Sequence, residues 1–338
     1  QMEGGLKYNS IDIEGPDQVG KGDAVNNIAC ELSKNGIETT VISFPYYATP
    51  IGNIIKCVLK EGIPEEVEME KDSEVEVKMA LFALNRLEIL NCIEAQPKSD
   101  IYLFDRGPFS NALTISYSLR SGLKEEDLDG LVAKAMCFDS HFRNVLNIDN
   151  CVIHLQTKNT EWVQSRKEGD LYERKDVQEL SEYIYSKFEE YVGEGWGNIT
   201  TRDSNEWKPR EEIRENCINF AKSRIKILNK GGLNVSKAPN YLSIDTIQHT
   251  LYFESHLSEK LKEEWVDALK KNDKIGVYNG AKKISEALVG TTQRIKWYND
   301  ITKVQVSKLL TEIPDLTYLI EYYCGESFLI KFLDSVNE

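Results

Sequence analysis

The sequence predicts an α/β fold, with a parallel sheet flanked by helices, followed by a second, mostly α-helical part. Short β-branched and apolar runs alternate with helical patterns through the first two thirds of the chain, which is typical of parallel sheets. A glycine-rich turn follows the first of these runs directly and leads into a helical pattern. Beyond about residue 233 the pattern is mostly helical and has no strand rhythm.

Five strands are predicted from these runs: Lys7–Glu14, Glu38–Phe44, Ile101–Asp105, Cys151–Gln156 and Gly197–Thr201. The clearest helical patterns are Ala24–Lys34, Ser73–Ala95 and Glu211–Leu228. In open parallel sheets, ligands bind beyond the carboxyl ends of the strands. Phe44 and Asp105 end two of the predicted strands and Gly15 follows another, so we expect a binding site there.

A chain of 338 residues is long enough for two domains. The pattern breaks at Lys230–Gly232, which is a plausible linker and gives predicted domains of 1–230 and 231–338. Val277–Ile313 has a helical pattern with several basic residues, and we expect these on a solvated face. The aromatic residues of this part are expected to build a small helical core.

Composition excludes several functional classes. The net charge of -14 argues against nucleic acid as the main partner, because nucleic-acid-binding proteins usually present a basic surface. No window approaches the roughly 20 apolar residues that cross a bilayer, so no membrane association is expected. The seven cysteines are scattered, which favours reduced thiols and a cytoplasmic location.

The segment Gly15–Asp23 contains the pattern Gly-x-x-x-x-Gly-Lys between a predicted strand and a predicted helix. Such a P-loop wraps phosphate with backbone N–H groups, aided by the positive end of the helix dipole. Lys21 would bring a full positive charge to the β and γ phosphates. The alternative is a tight glycine turn with a solvated lysine. The predicted ATP-binding residues of the loop are Gly15, Gln18, Val19, Gly20, Lys21, Gly22 and Asp23.

The position after Lys21 departs from the usual pattern. A serine or threonine hydroxyl normally holds Mg²⁺ there, whereas this chain has Gly22 followed by Asp23. Carboxylate oxygens suit magnesium, so Asp23 is one candidate ligand. The opposite interpretation, that Asp23 repels the triphosphate, stays open.

Five segments occur in the order that is seen in the thymidylate kinase family, which this chain resembles over about residues 6–228. The segments are Glu14–Asp23, Phe44–Gly52, Leu81–Arg86, Asp105–Ser110 and Asp170–Glu173. The resemblance implies a P-loop kinase that uses ATP and Mg²⁺ to phosphorylate a nucleoside monophosphate, above all dTMP to dTDP. It also implies a homodimer.

The resemblance assigns a role to each matching residue. It implies a catalytic set of Lys21, Asp17, Asp105 and Arg106, with Asp105 as a magnesium ligand in addition to the candidate Asp23. It implies that the acceptor nucleotide is bound by Asp17, Phe44, Phe82, Arg86, Arg106 and Tyr172, and that Arg166 and Arg174 reach ATP from a lid.

The bare residue patterns also allow structural roles. Phe82 and Arg86 lie one helical turn apart and share a face, which suits base recognition but also a core phenylalanine beside a surface arginine. Asp105 and Arg106 could form a purely structural ion pair. Asp17 could cap a turn, and the lid cations could lie on a solvated helix face.

Several charged or hydroxyl groups of the family pattern are altered. Tyr47 stands where the resemblance leads us to expect an arginine for the acceptor phosphate, and Leu171 stands in place of a lid arginine. Gly107 stands in place of a tyrosine. Together with Gly22 and Asp23, these departures support a second hypothesis, a nucleotide-binding regulator or scaffold with a degenerate kinase site.

Overall fold

The computed structural model describes residues 8–47, 49–162, 169–226, 238–241 and 300–326, with the single positions 264, 267, 271, 329, 330 and 333. The chain divides into two compact units that interleave in sequence. The first comprises residues 1–44 and 98–242, and the second comprises 45–97 and 243–338. The boundary predicted near residue 230 lies outside the described residues, so the domains 1–230 and 231–338 stay a prediction.

A seven-stranded sheet forms the centre of the first unit, in the order β6-β5-β4-β1-β3-β2-β7. The strands are β1 (Ser10–Glu14), β2 (Thr39–Ser43), β3 (Ile101–Asp105), β4 (Val152–Lys158), β5 (Trp196–Asp203), β6 (Glu206–Trp207) and β7 (Asn240–Tyr241). All neighbours are parallel except β5 and β6. The predicted α/β class and its five strands are therefore confirmed, whereas the sequence does not predict the two short edge strands.

The described residues of the two units also contain ten helices. They are α1 (Lys21–Lys34), α2 (Pro50–Glu61), α3 (Lys71–Ala95), α4 (Asn111–Arg120), α5 (Leu128–Phe138), α6 (Ser140–Val145), α7 (Lys175–Val192), α8 (Arg210–Arg224), α9 (Asp300–Glu312) and α10 (Pro314–Cys324). In this part of the chain, no helix is long and apolar enough to cross a membrane.

The central strand β1 is buried along its whole length, as expected of a strand that is covered on both faces. Successive side chains of a strand alternate between the faces of the sheet. Ile11 and Ile13 lie in the apolar core cluster, which also contains Ile28 of α1. Asp12 and Glu14 occupy the alternate positions and are both fully buried, so one face of β1 is apolar and the other is acidic.

The described residues of the second unit are mostly helical, and α3 contacts α2, α9 and α10 among them. The C-terminal helices bury apolar side chains such as Leu309 and Leu319. The mostly helical character predicted for the C-terminal part is confirmed for α9 and α10, whereas residues 277–299 of the predicted helix lie outside the described residues. The C-terminal helices therefore share a core with α3, which carries Phe82 and Arg86.

We predict that Leu319→Ala lowers the free energy of unfolding by about 2–5 kcal/mol, because it leaves a cavity where a fully buried side chain packs on α10. Tyr318→Ala is the matched control. The Tyr318 side chain is half-exposed, so its loss is expected to lower the free energy of unfolding far less. Urea denaturation followed by circular dichroism measures both variants. Equal destabilisation of the two variants would contradict the packing of α10 into this core.

Candidate active site

The glycine-rich segment forms a loop between β1 and the first residue of α1, as predicted. Gln18 and Gly20 have left-handed backbone conformations, with φ of 65° and 75°. A side chain at position 20 would be strained there, and its Cβ would lie 3.0 Å from the ring of Trp207. The start of α1 directs its unpaired N–H groups toward this loop, which is the arrangement that binds anions.

Two side chains from neighbouring elements hold the loop. The Gln178 side chain of α7 accepts a hydrogen bond from the backbone N–H of Asp17 at 2.7 Å. The Thr201 hydroxyl of β5 donates to the backbone oxygen of Val19, also at 2.7 Å. The loop is thus fixed on both sides of Gln18.

Lys21 and Asp105 form an ion pair that joins the start of α1 to the end of β3. The strands β1 and β3 are neighbours, so their carboxyl ends bring these two residues together. Burial and the nearby Arg106 charge lower the pKa of Lys21, while Asp105 acts in the opposite direction. The ammonium group therefore lies in a partly buried, polar cluster where an anion would be held strongly.

Arg106 lies beside this pair and contacts the loop from the other direction. Its guanidinium donates to the Asp17 carboxylate at 2.7 Å. Burial opposes the charged form, but Asp17, Tyr185 and Asp105 together outweigh this effect and raise the pKa of Arg106, so it stays charged. The four residues predicted as catalytic, Lys21, Asp17, Asp105 and Arg106, are thus brought together by the structure.

Asp23 and Gly22 lie on the first turn of α1. Asp23 is exposed and pairs with Arg210 of α8 at 3.0 Å. Within the described residues, no group of three His, Cys, Asp or Glu side chains could hold a metal. Magnesium in nucleotide sites needs only one or two carboxylates, because phosphate and water supply the other ligands. Asp105 fits this requirement, whereas Asp23 would have to leave Arg210 first.

The remaining predicted residues of the first unit lie in varied surroundings. Phe44 is 6% exposed and packs against the rings of Phe104 and Phe142, so it contributes to the core. Tyr172 is buried in a short helical turn that Asp170 caps. Arg174 pairs with Asp176 at 2.6 Å and lies over the ring of Tyr117. Arg166 lies outside the described residues.

Phe82 and Arg86 belong to the second unit, on α3. Phe82 is partly exposed, whereas Arg86 is only 2% exposed. Between them in sequence, Asn85 holds the backbone of Tyr46 through both its amide atoms, at 2.7 and 3.0 Å. The segment that follows Phe44 is therefore fastened to the helix that carries Phe82 and Arg86.

A cavity of about 190 Å³ opens beside the loop. The described residues that line it are Pro16, Asp17, Gln18, Val19, Thr157, Thr160, Glu161, Trp162, Gln178, Glu179, Glu182 and Arg202. Most of its charged side chains are carboxylic acids. The positive charge next to the loop therefore comes from Lys21 and the start of α1 and not from the wall of this cavity.

Sequence reasoning missed three residues that shape the loop. Gln178 and Thr201 hold its backbone, and Trp207 covers Gly20 with a half-exposed ring. The guanidinium of Arg202 lies 5.2 Å from the centre of the same ring, within the range of a cation–π contact. The sequence offers one signal for Trp207: it follows the last predicted strand shortly after its carboxyl end. That end lies at the same edge of the sheet as the glycine-rich loop.

The wall behind the cavity contains a buried histidine. His154 of β4 stacks on Tyr185 of α7, with ring centres 4.6 Å apart, and its Nδ1 lies 2.9 Å from the Asn198 side chain. Its Nε2 lies 3.4 Å from a carboxylate oxygen of Glu182. Burial lowers the pKa of His154 to about 4, although the hydrogen bond with Asn198 acts in the opposite direction.

Residues 13–124, about a third of the chain, match the model of the family described as Thymidylate kinase. The resemblance to that family is therefore confirmed over a segment that contains the loop, α3 and the end of β3. The match supports phosphoryl transfer to a nucleoside monophosphate, with ATP as the donor that the family implies. It does not include residues 170–173, where the lid was predicted. No curated protein sequence matches the chain at a significant level.

We predict that His154→Gln removes part of the acid sensitivity of the fold. In the unfolded chain this histidine takes up a proton below pH 6.5, whereas folded His154 does so only near pH 4. The stability of the wild type therefore falls as the pH is lowered from 6.5 to about 4. Between pH 7 and 4 the wild type should lose about 3 kcal/mol more than the variant. Asn144→Gln, at an exposed position that does not titrate, is the control and should keep the wild-type slope in urea denaturation. Parallel curves for wild type and His154→Gln would contradict the prediction.

Proposed function

We propose that the protein transfers the γ-phosphoryl group of ATP to thymidine monophosphate, with Mg²⁺ as cofactor. The observation that carries the proposal is the linked set of charges at the ends of β1 and β3: Lys21 with Asp105, and Arg106 with Asp17. Phosphoryl transfer requires the protein to position the two substrates and to neutralise the developing charge, and not to form covalent bonds itself. Two cations and two carboxylates at the mouth of a phosphate loop supply both.

Lys21 and Asp105 act on the donor side. When a triphosphate binds, the Lys21 ammonium exchanges its contact with Asp105 for the β and γ oxygens. This exchange leaves the Asp105 carboxylate available to order a magnesium ion and its water ligands. Its carboxylate is partly exposed, so water can reach it. The lid residues Arg166 and Arg174 are proposed to add positive charge at the transferred group.

Arg106 and Asp17 act between the two substrates. A guanidinium can bind phosphate oxygens with two parallel hydrogen bonds, which fixes the direction of attack. The Asp17 carboxylate orients Arg106 and favours its charged form. When Arg106 turns to phosphate, Asp17 becomes an acceptor for a sugar hydroxyl of the monophosphate.

Phe82, Arg86 and Tyr172 are proposed to recognise the acceptor base. Phe82 has a partly exposed ring that can stack on a pyrimidine, and Arg86 lies one turn further along α3. Arg86 is buried and Asn85 is bonded to the neighbouring backbone, so this stretch of α3 is held rigidly. Phe44 is also proposed to contact the acceptor, although its ring packs in the core of the first unit, against Phe104 and Phe142.

A nucleotide-binding regulator without transfer activity is the second candidate. The observation that favours it is Asp23, a carboxylate on the first turn of α1 where a triphosphate also binds. The Arg210 guanidinium neutralises Asp23 in this structure, which reduces the repulsion. An assay of transfer decides between the two candidates.

We predict that the protein with ATP and Mg²⁺ forms dTDP from dTMP faster than any other diphosphate in a panel of nucleoside monophosphates. Lys21→Ala should lower kcat/KM by about a hundredfold or more, since it removes the charge at the transferred phosphate. Lys34→Ala, at the exposed end of the same helix, is the matched control and should leave the rate unchanged. ATP binding without transfer to any acceptor would reject the kinase in favour of the regulator.

We also predict that Asp105→Asn raises the Mg²⁺ concentration for half-maximal rate by about tenfold or more, because it removes a carboxylate ligand. Asp23→Asn should raise it less, since Arg210 competes for that carboxylate. Arg210→Ala frees Asp23 and should lower the magnesium requirement. If Asp105→Asn and wild type required the same Mg²⁺ concentration, Asp105 would not be a ligand.

A further inference from the structure

Two carboxyl groups lie next to each other on the buried acidic face of β1. Asp12 and Glu14 are both fully buried at alternate positions of β1, and the carboxyl groups of both reach the turn at Gly107. Two like charges side by side inside a protein are too costly to persist. The pair therefore holds one shared proton in the folded protein.

Glu14 joins β1 to the turn that follows β3. One of its oxygens accepts the backbone N–H of Gly107 at 2.9 Å, and the other accepts the Ser110 hydroxyl at 2.8 Å. The Tyr185 hydroxyl of α7 lies 3.4 Å from the second oxygen. These contacts fix the backbone immediately after Arg106.

Asp12 fills the space beside the same turn. A Cβ at position 107 would lie 2.8 Å from one oxygen of Asp12 and 2.9 Å from the other. Only glycine fits while the Asp12 carboxyl is there. The glycine at position 107, where the family pattern has a tyrosine, and the buried carboxyl of Asp12 are therefore matched in their packing.

Between these contacts, Arg106 has an unusual backbone. Its φ is 66°, in the left-handed region that non-glycine residues seldom adopt. Its N–H donates to the oxygen of Ile13, which lies between Asp12 and Glu14 in sequence, at 2.9 Å. Such a conformation persists only where surrounding contacts hold it, and it often occurs at functional sites.

We propose that Asp12 and Glu14 are positioning residues for Arg106: the acid pair holds the turn at Gly107 so that the Arg106 guanidinium reaches Asp17 and the reacting phosphates. That Arg106 acts in transfer rests on the proposed function. The role of the acid pair in holding the turn rests only on the contacts described above. Neither residue touches the substrates directly.

The surroundings give the arrangement a defined pH dependence. Burial raises the pKa of Glu14. This effect is opposed only in part by the positive charge of Arg106 and by interactions with Asp12, Ser110 and Gly107. The other titratable groups around the pair are Tyr185 and Glu182 of α7, and Cys151 and His154 of the β4 segment. Since the folded pair keeps a proton that the unfolded chain releases, wild-type stability falls as pH rises above 4.5 through the raised pKa.

The first test is urea denaturation between pH 5 and 9 of the wild type and Asp12→Asn. The asparagine amide can donate to Glu14 without a shared proton, so this variant should lose less stability with rising pH than the wild type. Ser116→Ala, at a fully buried polar side chain that does not titrate, is the control and should give a curve parallel to that of the wild type. Parallel curves for wild type and Asp12→Asn would overturn the shared proton, whether or not the protein is a kinase.

The second test is the pH profile of kcat/KM for dTMP phosphorylation. In Asp12→Asn, the pH at which kcat/KM declines on the alkaline side should be higher than in the wild type by roughly one pH unit or more. In the wild type the shared proton is lost at that pH, whereas the asparagine amide keeps the turn fixed. A change in stability alone would not shift this limb. An unshifted limb in an active, folded variant would overturn the positioning role.

Rescue supplies the third test. Gly107→Ala should lower kcat/KM by about tenfold or more, since its methyl group collides with Asp12 and displaces Arg106. The double variant Asp12→Ala with Gly107→Ala makes room for the methyl group and should recover part of that loss and of the lost stability. Failure of the double variant to recover either quantity would overturn the pairing of positions 12 and 107. If no variant or wild type transfers phosphate, the proposed function fails, and the two stability measurements still decide the acid pair.

Discussion

The candidate site depends on the ion pair between Lys21 and Asp105. It joins the start of α1 to the end of β3, two elements that reach the same edge of the sheet only because β1 and β3 are parallel neighbours. The partner of Lys21 is also the residue best suited to hold magnesium, so one exchange of contacts would serve both the donor phosphates and the metal. The pair therefore keeps a buried cation satisfied until an anion replaces Asp105.

The departures from the family pattern differ in their structural meaning. Gly107 has a physical explanation, because Asp12 occupies the space that a side chain would need. Asp23 is compensated in charge by Arg210, which reduces the penalty for an acid near phosphate. Tyr47 lies 5.9 Å from the Lys56 ammonium, so a positive charge remains near this position although the arginine is absent. No contact of Leu171 explains the missing lid arginine.

Much of the fold follows from sequence periodicity and much of the site follows from strand ends. The alternation of strands and helices predicts the parallel sheet, and the rule that ligands bind beyond carboxyl ends predicts a site where the loop after β1 and Asp105 lie. The roles of Asp12 and Gln178 could not be predicted, because they depend on contacts across more than ninety residues of sequence. Phe44 ends a strand and packs in the core, so its contact with the acceptor nucleotide stays a prediction. The short strands β6 and β7 have two residues each and no periodicity to detect.

The C-terminal helices α9 and α10 pack on α3, a role that their sequence alone does not predict. The helices α9 and α10 contact α3, whose interior positions are buried around much of its circumference and include Asn85, Arg86 and Glu88. A helix that carries buried polar groups depends on its neighbours to exclude water and fix those groups. Loss of α9 and α10 would expose apolar surface of α3 and loosen the residues proposed to recognise the acceptor base. The helices α9 and α10 are therefore part of the scaffold of α3.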